Sequence, residues 1–463
     1  MHDQLPPLIA TPADLLERMP GQLHVTRPDY IVYVPKVTAE AATDTGNEHF
    51  LVFDGPDGTP MAVWTQSSME AYSADLPRDQ HIAFATSPDH GVSWTEPSII
   101  AGPRHAGDGE MASWAYPLVS RRGRIYVLYN QHIGIADTFF HHTGWVDGIY
   151  SDDGGQTWSA PKRVPVARSI HDNPDADVPP NMLCWQKPLR LGADGRYFAG
   201  FTRWTSHDAI PWAGGDWRAA DARVEFMRFE NVDEHPEPDA LRIAWFAANE
   251  AALTAPFPGQ PEISACQEPS VVALPDGRLF CVMRTATGSP YWSVSADRGE
   301  TWSATRPLLA RDGGEPLLHP LSPCPMYDLG GNEAASGDYG LFLHCHDGHI
   351  GRWGPTDTGH HRRPVYLLRG RFVPDADQPV WFGEPEPFMD HDGTTLGLPG
   401  TTGLEFRRAV RERWPDSVRI IISGHTDAED IIAGGNEAGI YQYVLKPWMP
   451  DQLLELVRDA VEA

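Results

Sequence analysis

The chain has 463 residues, and 63 Asp and Glu against 36 Lys and Arg leave a formal charge of −27. That balance argues against nucleic acid or an anionic membrane as a general partner, so an acidic ligand would need a locally basic pocket. Sixteen Trp, 43 Gly and 43 Pro fit a turn-rich all-β protein rather than a helical one.

The N-terminal run Met1-His2-Asp3-Gln4-Leu5-Pro6-Pro7 has no basic stretch leading into an apolar one, and nothing along the chain approaches a membrane span. Five cysteines, Cys184, Cys266, Cys281, Cys324 and Cys345, are spaced as neither a metal motif nor a disulfide framework. The expectation is a reduced, cytoplasmic location, with no metal or cofactor implied by any motif.

A first strand is expected around Tyr30–Val34. From His49 onward a recurring unit appears: a polar residue, Pro and apolar residues, then Asp-Gly or Gly-Arg and another apolar strand. Its clear copies are Tyr116-Pro117 with Gly123-Arg124, Lys187-Pro188 with Gly195-Arg196, and Glu268-Pro269 with Gly277-Arg278. Looser copies are His49-Phe50 with Asp57-Gly58, Cys324-Pro325 and Arg363-Pro364. Between them lie three copies of Ser-x-Asp-x-Gly-x-(Ser/Thr)-Trp: Ser87 to Trp94, Ser151 to Trp158 and Ser295 to Trp302. The Asp carboxylate and the hydroxyls can satisfy the N–H groups of a tight turn, Gly supplies positive φ, and Trp buries its ring beneath.

Short strands with a long-period repeat argue for radial repetition. The eight-residue pattern is the Asp-box, and over about residues 20–397 the chain resembles the sialidase-like β-propellers. The fold expected is all-β, a six-bladed propeller over residues 1–397, one blade for each of the six anchors. The last blade is short, and the strand at Tyr30–Val34 is expected to close the ring by supplying its missing edge.

A propeller gathers the starts of its innermost strands at one end of the axis. The polar-Pro register sends His49, Tyr116, Lys187, Glu268 and Arg363 toward one funnel. The strand that follows ends at the same face and delivers Gln66, Asn130, His132, Arg203, Arg284 and the pair His344 and His346. Alternation sets His344 and His346 on one strand face, able in principle to share a cation. Several cations with carboxyl, His and Tyr groups suit an acidic glycan. The sialidase family holds the substrate carboxylate with three Arg, uses a Tyr activated by a Glu as nucleophile, and an Asp as acid/base. Carried over by position, the resemblance implies Arg203, Arg284 and Arg363 as the clamp and Glu268 as the carboxylate partner; Tyr116 and Tyr327 are the nucleophile candidates. The residues expected to do chemistry are therefore Glu268, His132 and Tyr116, with Arg203, Arg284, Arg363, Lys187 and His49 binding substrate. A lyase removing a proton from a uronate is the alternative reaction, with His132 and Tyr116 moving protons and Arg284 or Lys187 neutralising the carboxylate. A non-catalytic glycan-binding propeller is the third reading.

From about Leu398 the pattern changes to alternating helix and strand. Helices are expected at Leu404–Trp414, Asp427–Glu437 and Asp451–Val461, and strands at Val418–Ser423 and Ile440–Leu445. This segment, residues 398–463, resembles the second half of a response-regulator receiver domain: Ser423 ends a strand, Tyr443 stands at the aromatic-switch position, and Lys446-Pro447-Trp448 follows. In that family the hydroxyl and the Lys read an aspartyl phosphate. Here the phosphoacceptor position falls on Thr395, which implies a segment that takes no phosphate and serves as an appendage or a contact for a partner protein.

Overall fold

A computed structural model describes residues 30–33, 46–67, 79–104, 107–139, 141–192, 195–211, 220–330, 335–349, 353–357 and 362–389, with the backbone of 420–423 and 442–445. Five antiparallel sheets follow one another along the chain as blades. The first holds β1 (Gly46–Asp54), β2 (Pro60–Ser67), β3 (His81–Thr86) and β4 (Ser98–Ala101). The second holds β5 (Ala112–Val119), β6 (Ile125–Gln131), β7 (Trp145–Ser151) and β8 (Lys162–Arg163). In the third, β9 (Met182–Leu183) and β10 (Leu189–Leu191) share β11 (Arg196–Trp204), followed by β12 (Ala222–Phe229) and β13 (Ile243–Phe246). A hairpin of β14 (Pro256–Phe257) and β15 (Gln260–Ser264) leads to the fourth blade, β16 (Cys266–Ala273), β17 (Leu279–Thr285), β18 (Tyr291–Ser295) and β19 (Arg306–Pro307). The fifth is β20 (Met326–Asp328), β21 (Asp338–Leu343), β22 (Val365–Phe372) and β23 (Val380–Phe382), with β24 (Glu386–Met389) also on β22.

Among the described residues there are five blades, not six, which corrects the expectation from sequence. Five of the six anchors lie in or just before the first strands of a blade. The sixth, Arg363-Pro364, precedes β22, the third strand of blade five, where the Arg363-Pro364 peptide is cis. Its short spacing from Cys324-Pro325 reflects two strands of one blade, not a truncated sixth.

The apolar pattern of each inner strand records its neighbours. β5 and β16 bury residues on both faces. β1 alternates: Leu51 and Phe53 are buried, whereas Phe50 and Val52 are 47% and 43% exposed. At the other end of the array Tyr327, Phe388 and Met389 are exposed. The first and last blades therefore each keep an open face. Residues 30–33 form no strand, which overturns the closing edge expected there; Tyr33 instead packs its ring 6.3 Å from Trp64 of β2.

All three Asp-boxes join the third and fourth strands of their blades. In the second, Ser151 Oγ accepts from the Gly155 N–H at 2.8 Å, while Asp153 accepts from the Thr157 N–H and hydroxyl at 2.9 and 2.6 Å. Those bonds, the hydroxyl's first, hold the Asp153 carboxyl down to about 2. The box also staples blades together. Trp158 meets Phe84 of blade one at 5.2 Å, and Trp302 stacks on Phe226 of blade three at 4.2 Å. Burying rings between sheets in this way removes large apolar areas from water.

Beyond the fifth blade, Ile420–Ser423 and Gln442–Leu445 pair in parallel, Ile420 opposite Gln442, as α/β alternation requires. Thr395, Lys446 and the three expected helices, like the junction at 397/398, lie outside the described residues.

Candidate active site

Three strands carry irregularities that sequence periodicity does not show. The ladder slips between Glu48 and Leu51 in β1, between Ser113 and Tyr116 in β5, and between Gln267 and Ser270 in β16. At each slip a non-glycine residue takes positive φ: His49 at 51°, Trp114 at 57° and Glu268 at 46°. Such bulges re-aim a side chain, and the strain of about 1–3 kcal/mol persists only where packing fixes it. His49, Trp114 and Glu268 are thus equivalent positions on three blades.

Tyr116 is not one of them. Matching Pro117 to Pro269 put Tyr116 level with Glu268, but the bulge lies two residues earlier and gives that place to Trp114. Tyr116 lies in the apolar core, its ring 6.5 Å from Phe229, and burial drives its hydroxyl pKa well above the ordinary value. Tyr327, the other tyrosine considered, sits on the open face of β20 against Phe342.

Glu268 and Arg284 do meet. Arg284 Nη1 is 2.8 Å from Glu268 Oε2, with both side chains nearly solvent-free. Arg284 also donates from Nε and Nη2 to Gln267 Oε1 at 3.2 and 2.8 Å. The Glu268 N–H donates to Thr202 Oγ1 of β11 at 2.7 Å, tying the bulge to blade three. Burial raises the Glu268 carboxyl, against the pull of Arg284 and then Arg362. Arg362, just before β22, is brought down to about 10 by burial first and then by the charge of Arg284. Arg284 pairs with the carboxylate, while Arg362 acts on it only through its charge and donates from Nη2 to the Leu321 carbonyl at 3.3 Å. Arg363 follows Arg362 and is 9% exposed.

His142 adds a proton-handling group. It stacks on Trp204 at 3.7 Å, and burial, then His141 and Arg284, drive its pKa well below the ordinary value. It is neutral at neutral pH. Sequence places His141 and His142 on a loop, as catalytic candidates ranked below His132; the Trp204 stacking that fixes His142 is a contact distant in sequence.

The other expected residues have partners of their own. Arg203 is 1% exposed and is held by Asp172 at 2.6 Å and Glu225 at 2.9 Å; this is a structural triad, and its donors are turned to those carboxylates. His132 lies at the end of β6, its Nδ1 accepting from the Gly134 N–H at 3.0 Å and 3.4 Å from Glu110 Oε2. Lys187 is exposed and donates to the Val52 carbonyl of β1 at 3.3 Å. His49 reaches the Trp185 carbonyl from Nε2 at 2.7 Å. His344 is engaged by the Pro364 carbonyl at 2.9 Å and Ser322 Oγ at 3.1 Å, and its ring stacks on His319 at 5.2 Å, so both its nitrogens have protein partners.

The BNR repeat-like domain matches residues 58–313, more than half of the sequence. The chain belongs to the BNR repeat-like family. The BNR propeller resembles the K499G mutant of NanB sialidase from Streptococcus pneumoniae at 11% identity, TM-score 0.53, over 81% of this chain and 66% of that one. It also resembles a leech intramolecular trans-sialidase in complex with 2,7-anhydro-Neu5Ac, at 12% identity and TM-score 0.50, over 82% and 65%. At such identities the likeness is one of fold. A response regulator receiver domain matches residues 394–458. Over 66 residues there, the chain is 71% identical to the hydrogenase transcriptional regulatory protein HoxA of Cupriavidus necator, covering 14% of each chain. Over 65 residues it is 62% identical to HoxA of Bradyrhizobium diazoefficiens, covering 14% of this chain and 13% of that one. The chain thus spans about one seventh of the curated relatives it matches.

Proposed function

We propose that the BNR propeller binds an acidic glycan in its central cup and cleaves it as a sialidase-like glycoside hydrolase. The observation that carries this reading is the buried Glu268–Arg284 pair with Arg362 beside it. Guanidiniums out of bulk water recognise a carboxylate through fixed parallel donors. Arg284 and Arg362, with Arg363 next in sequence, are the clamp in this reading; Arg203 leaves it because two buried carboxylates, Asp172 and Glu225, already neutralise it. Glu268, raised by burial, is the carboxyl that moves the proton.

Elimination on a uronate is the second reading, favoured by one observation: the group stacked beside Arg284's field is a neutral imidazole, His142, while Tyr116 lies in the core. There His142 takes the proton next to the carboxylate, Arg284 or Arg362 neutralises that carboxylate, and the C–O bond to the leaving sugar breaks with its oxygen taking a proton from water. One screen separates the two. Purified protein is incubated with sialosides and with uronate-containing glycans while reducing ends and ultraviolet absorbance are followed. Reducing ends without absorbance support hydrolysis, and absorbance from an unsaturated product supports elimination. Binding without either product leaves a glycan-binding propeller. We place the protein in the cytoplasm, a reading supported by five buried free cysteines, and assign the receiver segment to contact with a partner protein.

A further inference from the structure

The half of the cup built by blades one to three has a different chemistry from the arginine side. Gln80 donates from Nε2 to Glu48 Oε1 at 3.1 Å. A carboxylate accepts only, so the amide's orientation is fixed and its Oε1 points the other way. His49 faces the Trp185 carbonyl with Nε2, which must carry the proton, leaving Nδ1 as a lone-pair acceptor. Burial lowers His49 to about 4, so the ring is neutral at neutral pH. Among the described residues, Gln80 Oε1 and His49 Nδ1 are both buried with no hydrogen-bond donor. Gln80 is fully buried and His49 is 5% exposed.

These two acceptors lie in one aromatic cluster. Gln80 Nε2 is 3.5 Å from His141 Nδ1, and Trp114 donates from Nε1 to the His141 carbonyl at 3.0 Å. The Trp114 ring is 5.3 Å from His49 and 5.4 Å from Trp185, and His49 is 5.0 Å from Trp185. Within this group Trp185 alone is partly exposed, so approach to the cluster runs past this residue. Buried acceptors without donors are costly and call for O–H groups. Flat rings beside them suit the C–H face of a pyranose, and no cation is needed there.

We infer that this side of the cup is a second subsite, for the uncharged, hydroxyl-bearing sugar ring joined to the acidic residue. The inference rests on the acidic-glycan reading for its partner half: arginines on blades four and five take the carboxylate, and Gln80, His49 and Trp185 on blades one to three take the neutral ring. The ligand is therefore at least a disaccharide, bound in one direction across the axis.

Titration calorimetry tests it with matched probes: free N-acetylneuraminic acid against 3′-sialyllactose, free glucuronic acid against glucuronyl-glucose, and lactose and cellobiose alone. For at least one acid, the conjugate should bind wild-type protein at least about tenfold more tightly than the free acid, an increment of about 1.4 kcal/mol. Trp185→Ala and Gln80→Leu should erase that increment and leave the free acid's affinity unchanged, and Trp185→Phe should restore most of it. Arg362→Ala should weaken free acid and conjugate alike. If the free acid binds but the neutral ring adds nothing, or adds the same in Trp185→Ala and Gln80→Leu, the subsite is overturned and the acidic reading stands. If no acid binds while lactose or cellobiose binds in a Trp185-dependent way, the subsite stands and the acidic reading falls. Failure of every probe to bind the folded wild type overturns both.

Discussion

Arg284 and Glu268 form a 2.8 Å ion pair inside the cup, one at the end of β17 and the other on the bulge of the adjacent β16. Removing one charge of a buried pair leaves its partner uncompensated and costs about 3–5 kcal/mol. Glu268→Gln keeps the shape and removes the charge. It should lower the denaturation midpoint measurably and reduce any turnover by about a hundredfold or more. Full turnover in this variant would remove Glu268 from the chemistry.

Arg203 should behave differently. Its partners Asp172 and Glu225 are both buried, so Arg203→Leu strands two carboxylates and should destabilise by about 3–5 kcal/mol in urea. Protein that remains folded should bind its acidic ligand with unchanged affinity. A selective loss of affinity without loss of stability would return Arg203 to the clamp.

Acid should loosen the fold before it protonates the carboxylates. His49 is lowered from 6.5 to about 4 by burial, so between those values the unfolded chain binds a proton that the folded chain refuses. Stability then rises with pH through that window and falls as pH drops across it, by up to about 3 kcal/mol from this group alone. His142 and His319, also lowered by burial, act in the same direction. Urea midpoints measured from pH 7.5 to 4.5 should fall steadily, and His49→Gln should flatten the slope. A flat profile in the wild type would contradict the neutral, buried imidazoles.

Gly299 sits at φ +89°, and a Cβ built there would come 2.3 Å from the Phe198 ring of blade three. Gly259 has a similar φ of +81° with open space around it. Gly259→Ala should cost about 1 kcal/mol from backbone strain alone. Gly299→Ala should cost about 2–4 kcal/mol, because the box can no longer dock on its neighbour. Equal losses in thermal melts would show that the inter-blade contact contributes little.

The receiver segment should accept no phosphate. Thr395 stands at the position where the resemblance expects the acceptor Asp, and a hydroxyl does not form the acyl phosphate that the family reads. Incubation with acetyl phosphate and Mg²⁺ should leave the mass of the intact chain unchanged. Incorporation of an acid-stable or acid-labile phosphate in residues 394–458 would reverse this reading.

Sequence alone determined the propeller class, the three staples and the change of texture at the C-terminus. Asp-box chemistry is local: Ser151, Asp153, Gly155 and Thr157 satisfy one another within a single turn. The strand anchors were also legible, and so was the placement of Glu268 and Arg284 at one end of their blade, since β16 and β17 are sequential; their ion pair was not. Tertiary structure decided the rest. A bulge built on Trp114 or His49 has no glycine to announce it, so the polar-Pro anchor carried the reading past Trp114 to Tyr116. Whether an arginine faces substrate or a carboxylate from another loop, as Arg203 does with Asp172, depends on contacts distant in sequence. The blade count failed for the same reason: Arg363-Pro364 resembles a blade's first strand in composition, and only strand pairing reveals it as the entry to the third.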